Sequence, residues 1–217
     1  MNQISVEEAA ATLGVSPQRV RAMLRNDQLA GRRIAGRWLV DPASMPARSR
    51  RAGQPLSPRI AWSLADVAAG RRPTELSSSE ASRLKARWRD ISHASDPVSV
   101  LGAVMARRAR ASRWSAPDPV ALLNDPRVVA GGKSDPRASM RSPNSVDVYV
   151  PSSEIDGVVA DHLLVPAAES ANAVLRIADR PLVTPLPWLI IAADLADGDA
   201  REMQQAERLI REMGPRE

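Results

Sequence analysis

The sequence predicts a mainly α protein with a small α/β part at its C-terminal end, and three observations predict it. Apolar residues recur at three- and four-residue spacing through much of residues 6–113, which is the helical period. Serine, aspartate and proline stand before those stretches, where helix starts belong. Strand-like alternation is confined to one basic hairpin pattern near the N-terminus and to short segments beyond Pro117. The expected organisation is a small head over residues 1–46, a basic linker over 47–55, a helical region over 56–116, and a mixed α/β domain ending in a helical hairpin over 117–217.

The head is written in the stretch ISVEEAAATLGVSPQRVRAMLRNDQLAGRRIAGRWLV, Ile4 to Val40. Ser5 and Glu8 form an S-x-x-E capping box that starts a helix. Val6, Ala9, Ala10 and Leu13 give that helix an apolar face, and Gly14 ends it. Ser16 then caps a second helix whose first position is Pro17, where a missing N–H loses no hydrogen bond. Val20, Met23 and Leu24 point inward, which leaves Gln18, Arg19, Arg21 and Arg25 outward. Two short helices joined by a glycine turn make a helix-turn-helix unit. Arg32-Arg33-Ile34 and Arg37-Trp38-Leu39-Val40 flank Ala35-Gly36, a two-strand hairpin signal that forms a basic wing.

The pattern SVEEAAATLGVSPQRVRAML followed by GRRIAGRWLVD resembles the small winged helix-turn-helix of the excisionase and MerR-like family, over residues 3–46. The resemblance implies that the second helix enters the DNA major groove and that the wing grips the neighbouring backbone or minor groove. It places Ser16, Pro17, Gln18, Arg19, Arg21 and Arg25 against base edges and phosphates, and Arg32, Arg33 and Arg37 on the wing with Trp38 packed beneath it.

Three helices are expected next. Ile60, Leu64 and Val67 follow a Ser57-Pro58 start, and Gly70 closes that helix. Ser77 to Glu80 opens a second helix with Leu84, Trp88 and Ile91 inward. Asp96-Pro97 starts a third that runs through Met105 into Arg107-Arg108-Ala109-Arg110. Beyond Pro117, Val120 to Leu123 reads as a helical turn. Residues 127–130, 145–150, 163–165 and 173–178 read as strands, and 154–162 as a helix. Pro187 to Ala196 and Asp199 to Met213 form the helical hairpin, with Leu195, Met203, Ala206, Leu209 and Ile210 on an apolar stripe.

Composition narrows the chemistry. The 217 residues carry no Cys, which removes disulfides, thiolate metal sites and a Cys nucleophile. With only two His, Ser–His and His-rich metal constellations have almost no material. His93 stands alone and reads as a surface histidine. GGKS at 131–134 lacks the G-x-x-x-x-G-K-[ST] frame, since Arg127 stands where the first glycine belongs, and it reads as a flexible loop. Asp194, Asp197 and Asp199 lie around a helix end beside Gly198, where Asp199 serves as an N-cap without a metal. No catalytic residue, metal or cofactor is therefore expected, and the chain is not read as an enzyme. No apolar run approaches the roughly 20 residues of a membrane span, so a soluble cytoplasmic protein is expected.

Charge is unevenly distributed. Residues 1–55 hold nine Arg and four acidic residues, residues 56–116 hold eleven Lys/Arg and five, and residues 117–217 hold ten and sixteen. The first two segments favour a polyanion, and the acidic last segment is better placed to meet a basic protein.

The segments DPRVVAGG, SVDVYVPSSEIDGVVADHLLVPA, NAVLRI and PWLIIAADLADGDAREMQQAERLI resemble the C-terminal region of AbiE-type antitoxins, whose own head is a different winged helix. This resemblance implies an antitoxin that represses its own toxin–antitoxin operon, beside a nucleotidyltransferase-like toxin. The partners it implies are double-stranded DNA and a cognate toxin protein; a second copy of the chain is a further candidate partner. The alternative is a stand-alone transcriptional regulator or a phage-type excisionase.

Overall fold

The computed structural model describes residues 4–13, 17–25, 29–34, 36–41, 44, 54–73, 76–167 and 170–214. The chain divides into two compact units, Met1–Ala52 and Gly53–Glu217.

In the first unit, strand β1 (Ile4–Ser5) leads into helix α1 (Val6–Leu13), followed by α2 (Pro17–Arg25), β2 (Gly31–Ile34) and β3 (Arg37–Val40). The capping box forms as its residues dictate. The Ser5 hydroxyl accepts the Glu8 N–H at 3.1 Å, and the Glu8 carboxylate accepts the Ser5 N–H at 2.7 Å. β2 and β3 pair antiparallel, with Arg33 opposite Trp38, and Gly36 takes the positive φ of +80° that the tight turn requires. β1 adds to the outer side of β3, giving the order β1-β3-β2. Val6, Ala9, Ala10, Val20, Leu24, Leu29 and Val40 form the core, with Ile4, Met23 and Trp38 packed on it.

The second unit has three layers around a five-stranded sheet. Its strands are β4 (Arg110–Ser115), β5 (Val129–Ala130), β6 (Val146–Pro151), β7 (Val165–Pro166) and β8 (Ala173–Ala178), in the order β5-β6-β8-β4-β7. β6 and β8 run parallel, and the other pairs are antiparallel. Helices α3 (Pro58–Ala68), α4 (Ser78–Ser92), α5 (Pro97–Met105), α7 (Trp188–Ala196) and α8 (Ala200–Met213) share one apolar core, to which Tyr149 and Ala178 contribute from the sheet. Val146, Val148, Val150 and Leu175 belong instead to a second cluster, with Leu122 and with Val158 of α6 (Ile155–Asp161). That split follows from the two-residue side-chain period of a strand.

Helix starts in this unit follow their sequence signals. Ser77 with Glu80 and Asp199 with Glu202 form capping boxes, and Asp96 caps α5 ahead of Pro97. α7 is buried on every side from Trp188 to Leu195, as its uninterrupted apolar sequence requires.

The expectation of a mainly α chain with a small α/β part is corrected. Among the described residues, eight helices accompany two sheets of three and five strands, a substantial α/β fold. The largest difference lies after α5. The helix stops at Met105, residues 106–109 turn, and β4 begins at Arg110, held between β8 and β7. What turns the chain is Arg108, only 2% exposed, whose guanidinium enters the interior. The helical region and the mixed domain consequently share one core, and α8 closes it with Ala206, Leu209 and Ile210 while Met203 stays exposed.

Candidate nucleic-acid interface

Burial of Val20 and Leu24 turns the opposite side of α2 outward, and Pro17, Gln18 and Arg21 are exposed there. Arg32 and Arg33 are exposed on β2. The register of the hairpin sets Trp38 opposite Arg33, with Trp38 packed against the core as its support. Between helix and wing lies a cleft of about 760 Å³ bordered by Ser5, Glu7, Arg21, Arg33, Gly36 and Trp38. Arg21 reaches Glu7 at 3.2 Å, and the Arg33 Nε donates to the Gly36 carbonyl at 3.1 Å. Two arginines from different elements thus border one hollow. Exposed guanidiniums in that arrangement offer donors to phosphate oxygens or guanine edges.

Not every expected residue can be placed. Ser16 lies outside the described residues. The backbones of Arg19 and Arg25 run in α2 and that of Arg37 in β3, and their side chains are not described. Sequence reasoning missed Glu7 as the partner of Arg21, fourteen residues apart. It also missed β1, a two-residue strand too short for any periodicity.

In the second unit the structure gathers charges that the sequence left scattered. The Asp194 carboxylate, fully buried, accepts from Arg108 Nε at 2.8 Å, from the Tyr149 hydroxyl at 2.8 Å and from the Gly132 N–H at 3.0 Å. Arg108 also reaches Asp197 at 2.6 Å and donates to the Met105 carbonyl at 3.1 Å. Arg176 forms a two-pronged pair with Asp147 at 2.9 and 3.0 Å, and it lies 3.3 Å from Asp194. Burial pushes the Tyr149 hydroxyl well above its ordinary value, and the Asp194 charge adds to the effect. Burial likewise pushes Asp147 up, with the Arg176 guanidinium pulling against it. Among the described residues no buried side-chain nitrogen or oxygen is left without a partner. The set is a closed lock joining the α5–β4 turn, β6, β8 and α7.

The GGKS segment belongs to this lock rather than to a flexible loop. Gly132 holds φ +41°, and a Cβ there would run into the Asp147 carboxylate. The Ser134 hydroxyl accepts the Asp147 N–H at 2.8 Å. The available signal was a charged residue inside an otherwise apolar element: Asp194 in WLIIAADLA, Asp147 and Arg176 in their strands.

No family model, curated protein or solved structure matches the chain. Among the described residues no group of His, Asp or Glu side chains is placed to hold a metal ion, and His93 hydrogen-bonds its own helix at the Arg89 carbonyl, 2.8 Å away. No helix among them is long and apolar enough to cross a membrane.

The carboxylates of the acidic tail have partners within the chain. Asp194 and Asp197 are held by Arg108, Asp199 and Glu202 cap α8, and Glu207 pairs with Arg211 at 2.8 Å. These carboxylates are engaged within the unit.

Proposed function

We propose that the chain is a double-stranded-DNA-binding regulator of the antitoxin type, which represses its own operon. The observation that carries the reading is the cleft of the first unit, where Arg21 of the second helix and Arg33 of the wing border one hollow. An α-helix fits the major groove while a wing meets the adjacent backbone, so both elements of one unit reach DNA together. Ser16, Pro17, Gln18, Arg19, Arg21 and Arg25 are assigned to the helix contact, and Arg32, Arg33 and Arg37 to the wing. The reading assigns no catalytic role, metal or cofactor.

Gel shifts of the full chain on the DNA upstream of its own gene test it. Arg19→Ala should cost about 1–3 kcal/mol and relax sequence preference, as expected for an arginine that reads a base. Arg37→Ala should weaken all sequences alike, as expected for a phosphate contact. Unchanged binding in both variants sinks the assignment.

One observation favours the second reading, a stand-alone regulator or excisionase. Most of the apolar stripe of α8, Ala206, Leu209 and Ile210, closes its own core, and Asp197, Asp199 and Glu202 have partners within the unit, which leaves less of the tail for a toxin. Co-expression with the neighbouring gene product separates the two: relief of a growth defect supports the antitoxin, and its absence the stand-alone regulator.

A further inference from the structure

One face of the second unit concentrates arginines. Two adjoining hollows, of about 480 and 380 Å³, share Trp62 and Arg180 in their walls. Arg59, Arg71, Arg72, Arg108, Arg137 and Arg180 line them against Asp66 and Asp179. Arg71 is held by Asp66 at 2.7 Å and Arg137 by Asp135 at 2.7 Å, whereas Arg59 stands 3.7 Å from Glu80. Arg72 and Arg180 have no carboxylate partner among the described residues. Arg180 lies instead over the Trp62 ring, 4.8 Å from its centre, and makes only a long bond of 3.4 Å to the Pro181 carbonyl. A guanidinium parked on an aromatic face is free to turn toward a carboxylate that approaches it.

The form of the groove decides what fits. Trp62 and Trp188 are 2% and 4% exposed, so no ring is available for a base to stack on, which single-stranded nucleic acid needs. Hollows of this size admit side chains, whereas a duplex major groove is itself about 12 Å wide and presents a convex backbone. The rim adds apolar surface at Val183, 49% exposed, beside the exposed Pro185. Arginines lining a hollow next to an apolar rim match an extended peptide that alternates acidic and apolar side chains.

We propose that this groove docks an acidic peptide segment of a partner protein, with carboxylates on Arg72 and Arg180 and an apolar side chain against Val183 and Pro185. The proposal deepens the partner part of the functional reading and rests on a protein partner being engaged. It reverses the charge expected of that partner.

The test uses the full chain and a fluorescein-labelled peptide of alternating Glu and Leu, followed by anisotropy at moderate salt. Arg72→Glu/Arg180→Glu should weaken binding by about tenfold or more, as for reversed charges at a docking site. Arg83→Glu/Arg89→Glu changes the same net charge on the exposed side of α4, outside the groove, and should leave binding within about twofold. Val183→Asp should weaken the Glu–Leu peptide without altering the far-UV spectrum. The proposal is overturned if wild type does not bind the peptide, or if both double variants lose it equally. It is also overturned if a duplex or single-stranded oligonucleotide competes and Arg72→Glu/Arg180→Glu weakens that oligonucleotide as much. Gel shifts with the upstream DNA run in parallel, so loss of peptide binding with DNA binding intact separates this proposal from the assignment of the first unit.

Discussion

Asp194 is where three donors from distant parts of the chain meet: the Arg108 guanidinium, the Tyr149 hydroxyl and the Gly132 N–H. A buried ion pair adds little against an apolar replacement of the whole set, but removing one member leaves an uncompensated charge. Asp194→Ala should therefore destabilise the second unit by about 3–5 kcal/mol, measured by denaturant unfolding. Tyr149→Phe removes a single hydroxyl and should cost about 1–3 kcal/mol. Equal, small losses in both would mean that water replaces the carboxylate. A second residue sets the acid response. The Arg127 side chain and backbone N–H, with His162 at 2.9 Å, hold the Asp125 carboxyl well below its ordinary value of 3.8, against the opposing effect of burial. A depressed folded value means that the stability is present at neutral pH and is lost as pH falls below the unfolded value. Asp125→Asn should lower the melting temperature at pH 7 and flatten its decline below about pH 4. An unchanged acid profile would remove Asp125 from the account.

At the level of elements, helix ends offer the plainest test. The Ser77 hydroxyl and the Glu80 carboxylate satisfy each other's N–H at 3.3 and 2.9 Å. Ser77→Ala should cost about 1 kcal/mol, within the usual 0.5–2 kcal/mol range for a lost cap, read as a shift in the unfolding midpoint without a change in slope. The same local chemistry explains what could be read from the sequence. Ser5, Ser77, Asp96 and Asp199 announce their helices because a cap involves only residues three positions apart. The hairpin could be read because Gly36 and the residues around it sit together in the chain. β4 could not. Its residues, RASRWS, are polar and half exposed, and its pairing with Ala173–Ala178 is set by partners some sixty residues away. The pairing within the charge lock was hidden too, since Arg108 and Asp194 are 86 residues apart, although Asp194 alone stands out as a charge inside an apolar helix. For the candidate interface, local spacing placed Arg21 on a helix and Arg33 on a hairpin, whereas the Glu7 that Arg21 meets could not be read from it.

For the molecule as a whole, the two units have separate interiors. The cluster of Val6, Ala9, Val20, Leu24 and Val40 shares no residue with either apolar cluster of residues 53–217. Central helices and C-terminal hairpin, in contrast, build one core, which their sequences did not announce because one apolar helix face resembles another. Cooperativity follows shared burial, so each unit should unfold as its own transition. Leu189 is fully buried in α7, and Leu189→Ala should lower the transition of the second unit by about 2–5 kcal/mol, the usual loss for a large-to-small core change. Leu24, 4% exposed in the first unit, should show a loss of the same kind on Leu24→Ala, confined to the other transition. Scanning calorimetry of the full chain and both variants reads this directly. Should either substitution shift both transitions together, or should wild type melt in one transition that both variants move, the units are energetically coupled. A change in one would then register in the other. If the transitions move separately, a variant such as Asp194→Ala that weakens the second unit should leave binding to the upstream DNA intact, and the DNA-contacting assignments can be tested free of effects on the other core.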